Sequence, residues 1–154
     1  MDEEILAVVE ASAARRWTGI VALSGFAAVL LYVAWDTVSG WQAFLVLLGV
    51  LALWTARRTW QATSVRIELT AAELRDSAGS LIVRVDDIAS LDRGSFAFKP
   101  SNGFLIKTKT PGTRVWRPGM WWRFGRRIGI GGVTPAAQAK FMAETLARRL
   151  AEEN

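Results

Sequence analysis

The sequence predicts a membrane α-helical hairpin of two transmembrane helices, followed by a small α+β, mainly-β domain. Three observations predict it. Two long apolar runs near the N-terminus carry no charge, the side-chain alternation switches to period two after Ser64, and the final segment carries an apolar stripe at helical spacing.

The first run extends from Trp17 to Trp35 and contains no charged residue. A helix of about 19 residues rises roughly 28 Å, close to the hydrocarbon thickness of a bilayer. The second run, Trp41 to Ala56, is shorter, but Gly40 and the stems of Arg57 and Arg58 extend it toward the interface. The five residues between them, Asp36 to Gly40, include Asp, Ser and Gly, which favour a turn and force the helices antiparallel.

Arg15-Arg16 precede the first run and Arg57-Arg58 follow the second, whereas the connecting loop carries only Asp36. The positive-inside rule therefore places both termini in the cytoplasm. Trp17, Trp35, Trp41 and Trp54 stand at or near the four helix ends, as an aromatic belt requires. These four indoles and the two Arg pairs are the expected membrane-interface anchors. A hairpin buried in a soluble core is the competing reading, and uncharged runs of this length between Arg pairs argue against it. The acidic start (Asp2, Glu3, Glu4) and the lack of an Ala-x-Ala site after Trp35 argue against a cleaved signal peptide.

Residues 1–16 read as a cytoplasmic N-terminal segment. Ile5, Val8, Val9 and Ser12 recur at helical spacing, so the segment is expected to be an amphipathic helix on the membrane or a plain extension of the first span. Ser24, Gly25, Ala27 and Ala28 make one face of the first helix small, which suits close packing. The domain division is thus 1–16, the hairpin 17–58 (helices 17–35 and 41–56), and a cytoplasmic domain 64–154.

In that domain Val65, Ile67 and Leu69 alternate with Arg66 and Glu68, a strand pattern. Leu74 falls in a second strand, Ser77 to Ser80 form a turn, and Leu81 to Val85 form a third strand. Asp86-Asp87-Ile88 read as a capped turn or short helical step. Leu91 to Phe98 form a fourth strand with Phe96 and Phe98 on one face. A turn at Pro100 to Gly103 leads to a fifth strand, Gly103 to Thr110. Pro111-Gly112 predict a turn before a sixth strand, Thr113 to Arg117, and Met120 to Ile130 hold a seventh. Thr134 and Pro135 then open a helix with Ala139, Met142, Leu146 and Leu150 on its apolar stripe.

About seven short strands closed by one amphipathic helix predict an orthogonal sandwich or partly open barrel. Together with the hairpin, this arrangement resembles the bacterial PH-like membrane proteins. The features that carry the resemblance are the hairpin, the strand series from Val65, the stretch Val83 to Leu91 and the last helix. Lys99 to Phe104 and Arg117 to Gly132 are similar to segments of two-helix proteins from α-proteobacteria, which imply no activity. Eukaryotic PH domains often bind phosphoinositides through a basic loop between their first two strands. Here the turn Ser77 to Ser80 takes that place and carries no base, a departure from that mode.

The chain has no Cys and no His. That excludes disulfides, the usual zinc sites, Cys nucleophiles and His-based triads. Asp86-Asp87 is the one carboxylate pair away from the termini, and nothing nearby completes an acid–base site. The glycines 125, 129, 131 and 132 lack the Gly-Lys-Ser/Thr of a phosphate loop. No enzymatic activity and no cofactor are expected. Neither span carries an ionisable residue that would mark a transport pathway.

From Arg93 to Ala143 there is no Asp or Glu. The densest part of this basic stretch holds Arg114, Trp116, Arg117, Trp121, Trp122, Arg123, Arg126 and Arg127, the expected lipid- or partner-binding residues. Cations beside indoles suit an anionic bilayer surface. The same alternation also describes a half-buried strand, so surface and core readings stay open. A protein interface is a further reading, and nucleic acid is disfavoured for want of a recognition motif. The expectation is a non-catalytic binding module engaging the lipid bilayer, a membrane protein partner, or both, with no small-molecule substrate. The alternative is an accessory subunit or assembly factor of a larger respiratory or photosynthetic membrane complex.

Overall fold

The computed structural model describes residues 4–94 and 100–152. Helix α1 runs Ala13–Asp36 and helix α2 runs Gly40–Ala62. At 1.5 Å per residue they rise about 36 and 34 Å, enough to cross a hydrocarbon layer of roughly 30 Å. Only 11% and 17% of their most apolar windows is buried. The core helix of a soluble protein hides its apolar side chains, whereas these expose Val21, Phe26, Val29 and Tyr32 on α1 and Leu47, Val50 and Leu51 on α2. Length, composition and exposure together make the pair a candidate membrane hairpin.

The two helices touch through small residues: Ala27 and Ala34 on α1, and Gly49, Ala52 and Ala56 on α2. Leu31 of α1 lies over Gly49, where a Cβ would stand 2.9 Å from its Cδ2. Of the small face expected on α1, Ala27 packs against α2, whereas Gly25 and Ala28 remain exposed. Helix α2 continues past Arg57-Arg58 because no Gly or Pro interrupts it between Leu51 and Thr63.

The N-terminal segment is not a helix over its apolar residues. Ala7–Val9 form strand β1, with Ala7 and Val9 buried and Val8 only partly so. Strand β1 pairs antiparallel with β2 (Ile67–Leu69), with Ala7 opposite Leu69 and Val9 opposite Ile67. An open sheet edge satisfies the backbone of this segment, and the two-residue period then buries Ala7 and Val9 together. Sequence spacing alone did not reveal that partner, which is 58 residues further on in the chain. The helical expectation holds only from Ala13 to Arg16, the first turn of α1. The hairpin is therefore inserted between two neighbouring strands of one sheet, and both of its ends meet that sheet.

Strands β3 (Glu73–Asp76) and β4 (Leu81–Arg84) complete a four-stranded antiparallel sheet in the order β1-β2-β3-β4. The turn Ser77 to Ser80 joins β3 to β4 rather than the first two strands. Asp76 shapes it, accepting from the Ala78 and Ser80 N–H groups at 3.0 and 2.8 Å. A single 3-10 turn, Val85–Asp87, leads to β5 (Ile88–Asp92). Phe96 and Phe98, expected to continue that strand, lie outside the described residues, as does Lys99.

A second antiparallel sheet follows in the order β5-β6-β7, with β6 at Phe104–Arg117 and β7 at Trp121–Ile130. The expected turn at Pro111-Gly112 does not separate two strands: β6 runs through it. The pairing slips between Lys107 and Gly112, and again between Gly112 and Val115. Those irregularities leave Pro111, which has no N–H, outside the ladder.

A straight 14-residue strand would reach about 46 Å. Instead the β6–β7 ribbon folds back on itself. The Gly131 N–H donates to the Met120 carbonyl at 2.8 Å and the Val133 N–H to the Gly119 carbonyl at 3.0 Å. The ribbon's tip thus meets the residues just beyond its base, where Phe104 pairs with Ile130. The bend falls where Gly112 faces Gly125, which takes a φ of +58° that other residues adopt at a cost.

Helix α3 (Ala136–Glu152) closes the domain. It starts one residue after Pro135, and the buried Thr134 hydroxyl donates to the Asn102 carbonyl at 3.4 Å instead of capping the helix. Its Ala139, Met142, Ala143 and Leu146 pack into a single core with Val9, Leu69, Leu74, Ile82, Phe104, Ile106 and Ile128.

Candidate membrane-facing site

The folded ribbon decides which of the aromatic and basic residues are surface and which are core. Trp121 lies beside the ribbon's tip and is 5% exposed, packed into the core with Met120. Its Nε1 is buried without a hydrogen-bond partner. Trp122 is half-buried and lies over Gly129, with its ring 5.4 Å from that of Phe124. Trp116 is 48% exposed and Phe124 47% exposed. Both open readings are thus realised within one stretch: Trp121 is core, and Trp116 is surface.

The cations divide in the same way. Arg123 is half-buried; its guanidinium lies over Gly112, and its Nη1 donates to the Ile82 carbonyl of β4 at 3.1 Å. It is a strut between the ribbon and the other sheet. Arg114 is exposed, with Cζ 5.5 Å over the Phe124 ring, and Arg126 and Arg127 are exposed as well. Arg117 is partly exposed at the tip. Among the described residues, none of Arg114, Arg117, Arg126 and Arg127 forms an ion pair. Asp87 is not a helix cap: its carboxylate accepts from the Thr110 N–H and hydroxyl at 3.0 and 2.8 Å, fixing the start of the bend.

The ribbon's position against the hairpin follows from two contacts. A Cβ at Gly119 would stand 3.3 Å from Thr63 Cγ2, at the end of α2. Three residues earlier, the Trp116 ring lies 6.3 Å from that of Trp54. Going from Gly119 to Trp116, the ribbon runs along α2 from Thr63 toward Trp54, which is the direction of the membrane span.

The residues expected to anchor the hairpin are mostly exposed: Arg15, Trp17, Trp35, Trp41, Trp54, Arg57 and Arg58. Arg16 is partly buried, with Cζ 4.1 Å over the Trp60 ring. Trp60 was missed by sequence reasoning, although it stands about one helical turn past the Arg57-Arg58 pair. It packs edge-on against Trp17 at 5.2 Å and is the true partner of that indole at this end of the hairpin. Trp41 to Trp60 rises about 28 Å, matching Trp17 to Trp35 at about 27 Å. Trp54, about 9 Å nearer the other end than Trp60, carries Arg58 at 5.2 Å over its ring. Trp54, Arg57, Arg58 and Trp60 lie within about 9 Å of one another along α2. Phe124 was also missed as a site residue; its place between Arg123 and Gly125 in the basic stretch was the available signal.

The glycines before α3 do not form a phosphate cradle. The N–H groups of Gly131 and Gly132 donate to Met120 and Ser101 carbonyls, and a Cβ at Gly131 would stand 2.7 Å from Gly103 Cα. They allow backbone segments to cross closely. No family model, curated protein or solved structure matches this chain.

Proposed function

We propose that this protein is a non-catalytic, membrane-anchored PH-like binding module at the cytoplasmic face of a bacterial inner membrane, whose ribbon rests on anionic lipid. The observation that carries the reading is Trp116 beside Trp54: an exposed basic and aromatic ribbon runs toward the bilayer along a membrane helix. The four-stranded sheet, the three-stranded sheet and the closing helix support the PH-like reading. The Arg pairs at the hairpin's base support the cytoplasmic placement.

Arg114, Arg117, Arg126 and Arg127 contribute about 1 kcal/mol each when they reach an anionic leaflet, roughly 4 kcal/mol together. Because the hairpin already holds the domain at the surface, that is ample to keep the ribbon seated. The test uses the full chain with Arg126→Cys as its sole thiol, reconstituted in nanodiscs. Labelling by a water-soluble maleimide should slow when phosphatidylglycerol replaces part of the phosphatidylcholine, and recover in high salt. Equal labelling in both membranes would refute the reading.

A second reading, an accessory subunit of a larger membrane complex, draws on the exposed Gly25 and Ala28 of α1, a small face that α2 leaves free. Tagged purification in mild detergent tests it, and recovery of the chain without partner proteins would count against it.

A further inference from the structure

At the base of the hairpin, where both helix ends meet the sheet, lies a polar cleft of about 380 Å³ bordered by Glu10, Arg16, Ser64, Arg66 and Ser77. We propose that this cleft binds the headgroup of an aminophospholipid, with its phosphate on Arg16 and its ammonium on Glu10. The proposal rests on the hairpin being in a bilayer, but not on the ribbon touching anionic lipid.

The charges of the cleft identify the ligand class. Arg66 is already neutralised, its Nε 3.1 Å from a Glu68 carboxylate oxygen. That leaves Arg16 and Glu10, two opposite charges on one cleft. They do not pair with each other, and neither forms another ion pair among the described residues. A ligand carrying both a negative and a positive charge satisfies both. A purely anionic headgroup leaves Glu10 opposed, and a quaternary ammonium offers no N–H to donate to it.

Arg16 is oriented for a phosphate. Its Cζ sits over the Trp60 ring, its Nη2 donates to Ser64 Oγ at 3.2 Å, and its Nε is buried without a partner. That Nε is closed to solvent, so the outer Nη groups of the guanidinium are what a phosphate oxygen would meet. Ser64 gives its own proton to the Trp60 carbonyl at 2.7 Å, so it orients Arg16 rather than the ligand. Ser77 Oγ accepts from the Arg66 N–H at 3.2 Å and keeps its proton to donate. Arg16 also lies in the first turn of α1, which has no acidic side chain and no side-chain cap, so the helix N-terminus adds positive potential. The height is right too: Trp17 and Trp60 mark the interfacial layer beside the cleft, where lipid phosphates lie.

The experiment is native mass spectrometry of the purified full chain, offered dioleoyl phosphatidylethanolamine, phosphatidylglycerol and phosphatidylcholine at equal concentration, alone and in competition with soluble phosphoethanolamine. One phosphatidylethanolamine per chain should be retained in preference to the others. Arg16→Gln should lower its retention about tenfold, the loss of one charge-assisted contact. Glu10→Gln, at an exposed position that leaves the core intact, should erase the preference over phosphatidylcholine. Equal retention of all three lipids, or no change in either variant, overturns the proposal. So does retention of soluble phosphoethanolamine in place of the lipid, which would assign the cleft to a water-soluble amine phosphate. An Arg114→Gln/Arg126→Gln chain should retain phosphatidylethanolamine as before, which separates this site from the ribbon.

Discussion

Trp116 of β6 lies against Trp54 of α2, ring centroids 6.3 Å apart and planes inclined by 31°. This contact links the β6–β7 ribbon to the helical hairpin. Replacing Trp116 with Ala removes an aromatic pair worth about 1 kcal/mol beyond its buried area. Global stability should fall only slightly, since Trp116 is half-exposed. The ribbon should loosen more than the domain does. Hydrogen exchange at residues 113–117 should rise while that of Ile106 and Ile128 stays unchanged.

Strand β1 ties the start of the chain to the domain beyond the hairpin. Val9 is 0% exposed and paired opposite Ile67. Val9→Ala should cost about 2 kcal/mol, the loss of a buried aliphatic contact. Val9→Asp buries an unpaired charge and should cost more than about 4 kcal/mol. Thermal unfolding of the reconstituted protein measures both. A chain beginning at Ser64 lacks β1, leaves the β2 edge open, and should aggregate where the full chain does not.

Gly103 and Gly79 should respond differently to Ala. A Cβ at Gly103 collides with the Ile130 carbonyl oxygen and stands 2.8 Å from Gly131 Cα, both backbone, so nothing can yield cheaply. Gly103→Ala should cost roughly 3 kcal/mol or more and break the base of the ribbon. Gly79 has a φ of +85° but open space around it, so Gly79→Ala costs only the left-handed penalty of about 1 kcal/mol. Chemical denaturation of the two variants side by side distinguishes them.

Within the hairpin, Leu31 against Gly49 sets how closely the helices approach. Gly49→Ala puts a Cβ 2.9 Å from both Cγ and Cδ2 of Leu31, so that side chain must shift and a cost of about 1 kcal/mol is expected. Gly49→Leu asks for a side chain where there is no space and should splay the helices at a cost of about 1–3 kcal/mol. Disulfide trapping between cysteines placed at Ala27 and Ala52 reads the separation cleanly, because the chain has no cysteine of its own.

Much of the hairpin was legible because its signals are local. Uncharged runs, terminal indoles and Arg pairs each act through a residue's own partition between water and lipid. The charges of Arg57-Arg58 imitate a helix end in the sequence, whereas α2 runs on to Ala62 and includes Trp60. In the site, Arg114, Trp116, Arg126 and Arg127 are surface residues as one reading held, whereas Trp121 is core and Arg123 a strut. Alternation along a strand assigns two faces but does not say which face finds a partner.

The sequence by itself determined the hairpin, the switch to strands and the amphipathic last helix, because periodicity and hydropathy are properties of short segments. Only the tertiary structure decided that Ala7–Val9 is a strand, since its backbone is satisfied by β2 from beyond the hairpin. Only it decided that the β6–β7 ribbon folds back and runs along α2, since that path depends on Gly112 meeting Gly125 and on Gly119 meeting Val133. Both outcomes are pairings between segments far apart in the chain, and no local pattern carries the geometry of its distant partner.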